Sequence, residues 1–434
     1  MLEDEPELDE LAREEFEDAL VDGDVPWKRG TAQAALRNRN FRIIYLGVFA
    51  SNIGTWMQNV VLGAYALKLT GSSAYVGLVF FAQLGPLLFL STLGGLLADI
   101  VDRRRFLVGA QIAQLVFSLG LAAIAMSSHP SEALIVVAVF AIGIANAVGA
   151  PGLNAILPTL VPREDLPGAV ALASVQMNLS RVIGPIIGAA IYYALSAAPV
   201  FAINALTYVF AVIGLMWAVY PRRTNARVAE RGFARLLSGV RIARRDPLIS
   251  HILITLFSFS FFSLAFVGLM PVIAEQSFHI GPKSWQYGVL YACFGLGAAL
   301  GAVSVGTVFA HVSKAKLLRP AFLAFAAILA VFALLRLSAL SYPVALLLGY
   351  AYFVAITALS TLIQSHLVDE ERGRVMALWI MGFGGTVPVG VLFAGWIGHW
   401  VSITAVILAG AVWAVVLAAW SNVNSLIAKG APDV

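Results

Sequence analysis

The chain has 434 residues, of which 60% are hydrophobic and 12% are charged, and its formal net charge is +4. A soluble domain has about a quarter of its residues charged, so this composition excludes a soluble globular protein and indicates a membrane protein. The only cysteine, Cys293, excludes an intrachain disulfide and a CxxC metal site.

Residues 1–34 are predicted to form an acidic cytoplasmic tail. Half of the 24 acidic residues of the chain lie in residues 1–24. The start of the chain is acidic rather than basic and then apolar, so we expect no signal peptide. Two interpretations stay open for this segment, a solvated tail and a docking element, because four apolar residues could share one helical face. These residues are Leu8, Leu11, Phe16 and Leu20.

Twelve apolar runs of about 20 residues follow, each long enough to cross a bilayer as a helix. They lack period-two alternation, so the sequence predicts an all-α membrane protein rather than a β-barrel. The predicted spans are 43–67, 74–97, 106–126, 133–155, 169–195, 200–219, 249–272, 286–309, 320–338, 342–364, 376–397 and 402–421.

The spans divide six and six around one long basic connection. We predict a first six-helix bundle in residues 35–219, an amphipathic linker in 220–247, a second bundle in 248–421 and a cytoplasmic tail in 422–434. Within the linker, apolar residues recur at helical spacing between arginines, which suits a helix on an anionic inner leaflet. The apolar residues are Phe233, Leu236, Leu237 and Val240.

Basic residues are concentrated on one side of the predicted spans. If the N-terminus is cytoplasmic, 23 of the 28 Lys and Arg residues fall in cytoplasmic segments. Only Lys68, Lys283 and Arg336 fall in outside segments. The positive-inside rule therefore predicts that both termini are cytoplasmic.

The two halves also repeat each other weakly at a spacing of roughly 205–211 residues. Gly77 matches Gly288, and Arg103–Arg105 matches Lys314–Lys316. These echoes indicate two parallel six-helix repeats that meet at a central seam. Two such halves can rock against each other, which is the geometry of alternating access.

A short charged motif separates the second and third predicted spans. It contains Gly95, Asp99, Arg103 and Arg104. The motif resembles the signature of the major facilitator superfamily, specifically its drug and siderophore exporter branch of enterobactin-exporter-like proteins, over roughly residues 35–421. It departs from the usual pattern at Ile100 and Asp102.

The resemblance implies a role for the motif in gating. Asp99 and the following arginines would latch the cytoplasmic ends of the two halves, with Asp99 facing the start of the eleventh helix. For Arg104 and Arg105, a simple positive-inside anchor remains an alternative. The fifth predicted span carries Gly184, Pro185 and Gly188, which resemble the Gly-Pro motif of exporters in this superfamily.

Arg181 lies well inside the fifth span and shares a helical face with Ser174, Asn178 and Pro185. A mid-membrane arginine costs at least about 2.5–3.5 kcal/mol, so we expect it to face a cavity or the protein interior. It either serves substrate binding or coupling, or bonds carbonyls freed by the Gly-Pro bend. The candidate cavity residues are Asn52, Thr55, Trp56, Asn59, Gln83, Asn146, Asn178, Arg181, Thr255, Ser258, Tyr291, Phe294, Thr357 and Gln364. For each of them, packing between helices is the alternative role.

The resemblance implies a secondary active transporter, not an enzyme, that exports small amphipathic compounds such as drugs or siderophore-like metabolites. Proton antiport is implied by the family alone, with Asp99, Glu275 and His251 as coupling candidates. We expect a monomer in the inner membrane, surrounded by lipids, with a small-molecule substrate and without nucleic acid, cofactor or metal. A lipid or lysophospholipid flippase and a polytopic membrane scaffold are the alternatives.

Overall fold

The structure, a computed structural model, describes residues 28–90, 102–218 and 233–421. These residues are almost entirely helical and include no strand. The first half contains α1 (Ala32–Arg37), α2 (Arg39–Thr70), α3 (Ser73–Leu84), α4 (Arg103–Met126), α5 (Glu132–Ile156), α6 (Leu166–Ala194) and α7 (Ala197–Trp217). The linker contains α8 (Phe233–Arg245). The second half contains α9 (Pro247–Phe262), α10 (Ala265–Phe278), α11 (Trp285–Gly306), α12 (Lys314–Leu334), α13 (Ser338–His366), α14 (Asp369–Ile380), α15 (Thr386–Trp400) and α16 (Ile403–Trp420).

The predicted all-α membrane architecture is confirmed. Eleven helical segments of the described residues are long and apolar enough to cross a membrane. Helix α2, with 32 residues, supplies the twelfth span. Its hydropathy is lowered by polar residues between Asn52 and Asn59, although the helix is longer than any bilayer requires.

Two of the described spans of the second half are interrupted, which the hydropathy pattern did not predict. The seventh span consists of α9 and α10, and the break lies at Ser263, whose hydroxyl donates to the carbonyl of Gly410 at 2.8 Å. The eleventh span consists of α14 and α15, joined by a π-helical turn at Met381–Gly385. Turns of this kind bend a helix locally and are frequent at functional sites.

The helix ends define two faces of the bundle. The end that carries Lys28, Arg163, Lys316 and Arg372 is called the basic face here, and the end that carries Lys68, Lys283 and Arg336 is called the opposite face. Polar side chains cap helices that begin at the basic face, because the first N–H groups of a helix lack partners. The caps are Asn38 for α2, Asp102 for α4 and Asp246 for α9.

The two halves have different interiors. Three buried residues of α2, α4 and α7 are joined by hydrogen bonds in the first half: Gln58, Ser118 and Asn204. Gln58 accepts from Asn204 at 2.8 Å and from Ser118 at 3.2 Å. The second half instead packs aromatic rings, with Phe259 edge-on to Phe322 and Phe325 at 5.0–5.1 Å. Both halves therefore have a tightly packed interior, the first with polar contacts and the second with ring contacts.

The halves meet near the opposite face. Ser73 of α3 donates a hydrogen bond to the carbonyl of Gly395 in α15 at 2.9 Å. Lys283, just before α11, donates to the carbonyl of Leu195 at the end of α6 at 2.8 Å. Helix α3 therefore packs on α15, and α6 packs on α11, which closes the seam at this end.

The linker helix belongs structurally to the second half. Helix α8 packs on α14 and α9, and a Cβ on Gly239 would lie 2.7 Å from the carbonyl oxygen of Arg374. Ser238 and Ala243 are buried on this side, whereas Arg241, Arg244 and Arg245 are exposed. Of the predicted apolar residues, Leu237 is exposed and Val240 is partly buried, so the amphipathic role of α8 remains a prediction. The membrane contact proposed for this helix remains a prediction.

Candidate functional site

A cavity of about 440 Å³ lies between the halves and opens toward the basic face. Its volume is in the range of small-molecule sites, about 300–1,000 Å³. Its wall begins in the first turn of α6 and ends at Arg181, which at 1.5 Å per residue lies about 18 Å deeper along that helix. The lining residues are Ala169, Val170, Ala173, Ser174, Met177, Asn178 and Arg181 of α6, Ala302 of α11, and Phe353 and Thr357 of α13.

Arg181 is held between aromatic rings from the two halves. Its guanidinium carbon lies 5.4 Å from the ring centroid of Trp56 in the first half and 5.2 Å from that of Phe353 in the second. Each such contact contributes about 0.5–2 kcal/mol, with the larger values in desolvated sites. The rings therefore stabilise the cation, but they accept no conventional hydrogen bond from its N–H groups.

Within the described residues, Arg181 has neither a hydrogen-bond acceptor nor a carboxylate partner. Its Nε is buried without an acceptor, and the side chain lines the cavity. A buried cation without a counter-charge is costly, and an anion bound beside it would repay part of that cost. The site is therefore suited electrostatically to a ligand that carries a negative group.

Three of the predicted cavity residues share this wall: Asn178, Arg181 and Thr357. The side-chain amide of Asn178 donates to the carbonyl of Ser174 at 2.9 Å, which leaves its carbonyl oxygen as the free polar atom. Phe353 was not predicted, although it precedes Thr357 by four residues and so lies on the same helical face. Met177 was also missed, because an apolar residue in an apolar span gives no signal.

A second, smaller cavity of about 80 Å³ lies toward the opposite face. Four predicted residues line it together with Tyr287 and apolar groups: Trp56, Asn59, Gln83 and Tyr291. The amide of Gln83 donates to the side-chain oxygen of Asn59. Trp56 lines this small cavity and also contacts Arg181, so the Trp56–Arg181 pair separates the two cavities.

The remaining predicted cavity residues do not line either cavity. Thr55 bonds to Tyr208 at 3.2 Å inside the first half, and Thr255 is buried and donates to the carbonyl of His251. Phe294 stacks on Tyr352 in the aromatic interior of the second half. The others are Asn52, Asn146, Ser258 and Gln364. Ser258 and Gln364 bond within their own helices. The substrate roles of all these residues remain predictions.

Gly95 and Asp99, the centre of the predicted gating motif, lie outside the described residues. Of the motif's arginines, Arg103 donates to the carbonyl of Gly152 at 3.3 Å, which connects the start of α4 with α5. Arg104 is exposed at the basic face. The latch therefore stays a prediction.

The other two coupling candidates lie away from the cavities. His251 stacks on Trp420 at 4.7 Å, between α9 and α16. Glu275 is exposed near the end of α10, at the opposite face. Neither residue contacts Arg181, so neither is placed to exchange a proton directly with a ligand in the large cavity.

The Gly-Pro segment of α6 lies at a close crossing of three helices. A Cβ on Gly184 would lie 2.5 Å from the Cβ of Trp56, and one on Gly188 would lie 2.9 Å from the Cα of Met57. On another side, a Cβ on Gly288 of α11 would lie 2.7 Å from the carbonyl oxygen of Pro185. These contacts lie between the large cavity and the opposite face, where the seam is closed.

Comparisons with known proteins agree with this architecture. The transmembrane secretion effector family matches residues 30–431. The enterobactin exporter EntS of Escherichia coli O1:K1 / APEC is 26% identical over 347 residues, covering 78% of this chain and 80% of EntS. A bacterial homologue of the human lysosomal transporter Spinster, in an inward-facing and unoccupied conformation, has a TM-score of 0.72 at 13% identity, covering 90% of this chain and 98% of the homologue. The nucleoside transporter NupG has a TM-score of 0.69 at 12% identity, covering 91% of this chain and 100% of NupG.

Proposed function

Because the chain belongs to the transmembrane secretion effector family, within the major facilitator superfamily of transporters, we propose that it exports small amphipathic anions by alternating access. It is a multi-pass membrane transporter rather than an enzyme. The proposed substrates are siderophore-like metabolites or drugs that join an aromatic or apolar body to an acidic group. The similarity to an enterobactin exporter supports the siderophore-like class.

The orientation of the protein in the membrane is inferred from the asymmetry of the two faces. Lysine and arginine are concentrated at the basic face, and such residues are retained in the cytoplasm, so we assign this face to the cytoplasm. The large cavity then opens inward and the closed seam faces outward. A substrate would enter from the cytoplasm, and separation of the halves at α3 and α15 and at α6 and α11 would release it outside.

The observation that carries the proposal is the buried, unpartnered Arg181 at the inner end of the cavity. An acidic group can take charge-assisted hydrogen bonds from its guanidinium. Phe353, Trp56 and Met177 offer apolar and aromatic surface for the rest of the molecule. Neither a neutral sugar nor a small cation would supply a negative charge to pair with Arg181. The cavity also has too few polar groups to bind either.

We further propose that export draws on the proton gradient. Superfamily membership supports this, and among the coupling candidates Asp99 is the one that belongs to the predicted latch. An inward-acidic gradient imposed across proteoliposomes should change the initial export rate in one direction, and an outward-acidic gradient should change it in the other. An export rate that is independent of both gradients would rule out proton antiport.

The test of substrate class uses purified protein in proteoliposomes and two sets of fluorescent aromatic compounds that differ only in a carboxylate. Loss of a charged hydrogen-bonded pair costs about 1.5–3 kcal/mol, so Arg181→Met should weaken transport of the anionic set about tenfold to a hundredfold. The neutral set should change little. Arg181→Lys keeps the charge but lacks the planar donors, so it should recover only part of the affinity.

Arg336→Met is the matched control, because Arg336 is exposed at the opposite face. It should leave the KM for both sets unchanged. An equal loss of both sets in Arg181→Met, accompanied by a lower melting temperature, would assign Arg181 a structural role and contradict the proposed substrate class.

A further inference from the structure

The polar side chains on the wall of the large cavity differ in what they can bind. Among the described residues that line it, four have polar side chains: Ser174, Asn178, Arg181 and Thr357. The hydroxyls of Ser174 and Thr357 can donate or accept a hydrogen bond, whereas Arg181 can only donate. The carbonyl oxygen of the Asn178 side chain is therefore the only polar atom of these four side chains that can only accept.

One hydrogen bond fixes which end of the Asn178 amide is the acceptor. Nδ2 of Asn178 lies 2.9 Å from the backbone carbonyl oxygen of Ser174, one helical turn earlier. A carbonyl oxygen cannot donate, so a flipped amide would place two acceptors against each other. Oδ1 of Asn178 has no donor among the described residues, and the side chain lines the cavity. Its capacity to accept a hydrogen bond is thus left for a ligand.

Asn178 and Arg181 present their polar groups at a fixed separation. Side chains three residues apart in a helix are neighbours, with about 5–6 Å between their Cβ atoms. Asn178 lies about 4.5 Å nearer the mouth along α6. Arg181 is also held between the rings of Trp56 and Phe353. Because Asn178 and Arg181 both belong to α6, rocking of one half against the other does not change their separation.

We propose that Asn178 selects, among the anions that Arg181 binds, those that carry an N–H or O–H donor next to the acidic group. This inference rests on the proposed function, because it concerns the same site. The acidic group binds Arg181 at the inner end, the donor binds Oδ1 of Asn178, and the apolar body lies along Ala173 and Met177 toward the mouth. The favoured substrates are thus N-acyl amino acids or hydroxy acids with an apolar body, rather than simple aromatic carboxylates.

A ligand that lacks the donor loses more than the attraction of one hydrogen bond. It covers Oδ1 of Asn178 and removes water from it, so that a polar atom is buried without a partner. An ester oxygen in place of the N–H would also be repelled by Oδ1, since both atoms are acceptors. Sites that hydrogen-bond a donor therefore discriminate strongly against analogues without it.

The experiment compares two fluorescent compounds that differ in a single group. In the first, an aromatic acid is joined to glycine through an amide N–H. In the second, the same acid is joined to glycolic acid through an ester oxygen, so both compounds keep the carboxylate. Equilibrium binding to purified protein in nanodiscs should be about threefold to tenfold tighter for the amide. A dissociation constant does not depend on the fraction of protein that is folded, so variants can be compared directly.

Asn178→Leu removes the acceptor with little change in size, and should bring the amide and the ester to equal affinity. Asn178→Ala should do the same, and takes its place if the leucine variant does not fold. Arg181→Met should weaken binding of both compounds, because it removes the contact with the carboxylate that they share. Gln276→Met is the matched control, since it removes an exposed amide of α10 at the opposite face, and should leave both dissociation constants unchanged.

Equal affinity of the wild-type protein for the amide and the ester would overturn the inference. The proposed function would stand in that case if Arg181→Met still weakened binding of both. A preference for the amide that persisted in Asn178→Leu would assign the selection to another group, and would overturn the inference as well. If Arg181→Met weakened binding of neither compound, or if the wild-type protein bound neither, the proposed function would fail and the inference with it.

Discussion

Asp246 and Arg181 are charged residues that the fold treats in opposite ways. Asp246 caps α9 by accepting from the N–H of Leu248 at 2.8 Å, and it lies 2.7 Å from Nε2 of His366 at the end of α13. Burial alone would raise the pKa of the Asp246 carboxyl, but two backbone N–H groups of α9 and the imidazole of His366 hold it below its ordinary value of 3.8. The charge of Asp246 is therefore paired within the fold, whereas that of Arg181 remains available to a ligand.

Asp246→Asn separates these contributions, because Asn is as good an N-cap as Asp. Folding lowers the pKa of Asp246, so its carboxylate stabilises the protein fully above 3.8 and loses this effect as the pH falls through the lower, folded value. The melting temperature in detergent should be lower for the variant at neutral pH, by the equivalent of at most about 1 kcal/mol. The two proteins should converge in acid.

Asp246→Ala is the companion variant, since it removes the cap as well and should cost about 1 kcal/mol more at every pH. If the melting temperatures of wild type and Asp246→Asn instead differed by the same amount from neutral pH into acid, the charge of Asp246 would not contribute to stability.

At the scale of single helices, matching glycines build the closed seam from both halves. A Cβ on Gly77 of α3 would lie 2.9 Å from the carbonyl oxygen of Val391, and one on Gly288 of α11 would lie 2.7 Å from that of Pro185. These are the two glycines that the weak sequence repeat pairs. Small residues let helix backbones approach in membranes, where little hydrophobic force acts between helices. The repeat thus places equivalent close contacts on both sides of the seam.

Gly288→Val should wedge α11 away from α6 and separate the halves at the opposite face. Gly306→Val is the matched control, because Gly306 lies in the same helix and a Cβ added there would have no atom within 4 Å. Spin labels at Ser128→Cys and Ser338→Cys, in a Cys293→Ala background, report the distance across this face. The distance distribution should shift to longer values only for Gly288→Val. An unchanged distribution in a folded Gly288→Val variant would show that closure of the seam does not depend on this contact.

At the scale of the whole molecule, the closed and open ends of the seam lie on opposite sides of the Trp56–Arg181 pair. Transport by alternating access requires the contact between Lys283 and Leu195 to break in each cycle. A fixed link at this point should therefore hold the protein with its cavity open to the basic face.

In a Cys293→Ala background, Leu195→Cys and Lys283→Cys can be joined by a short bis-maleimide. Export by the joined double variant should fall to background, while substrate binding from the basic face should persist. Each single variant treated with the same reagent should keep its export rate, which controls for modification alone. Continued export by fully joined protein would contradict alternating access through this seam.

The sequence predicted the architecture well, because every membrane helix must be a long apolar run with its backbone hydrogen bonds satisfied internally. The predicted first span, 43–67, is shorter than Arg39–Thr70, since hydropathy detects only the apolar centre of a helix. The break at Ser263 and the π turn at Met381–Gly385 were not predictable, because contacts between helices determine them.

The candidate site was predictable only along single helices. The spacing of Ser174, Asn178 and Arg181 places them on one face, and all three line the large cavity. Phe353 was missed because its contact with Arg181 joins helices from different halves, and no spacing within one helix encodes that distance. A contact between two helices of the first half likewise determines that Thr55, polar and on the expected face, lies against Tyr208 instead.

The unpaired guanidinium of Arg181 should also make the transport cycle sensitive to the membrane voltage. A unit charge that crosses the full membrane potential gains or loses about 2.3 kcal/mol per 100 mV. The empty protein carries this charge deep in the membrane, and a monovalent anion bound beside it would cancel it. The loaded and empty forms would then sense the membrane voltage differently, so that voltage acts mainly on the return of the empty carrier and can set the pace of the whole cycle.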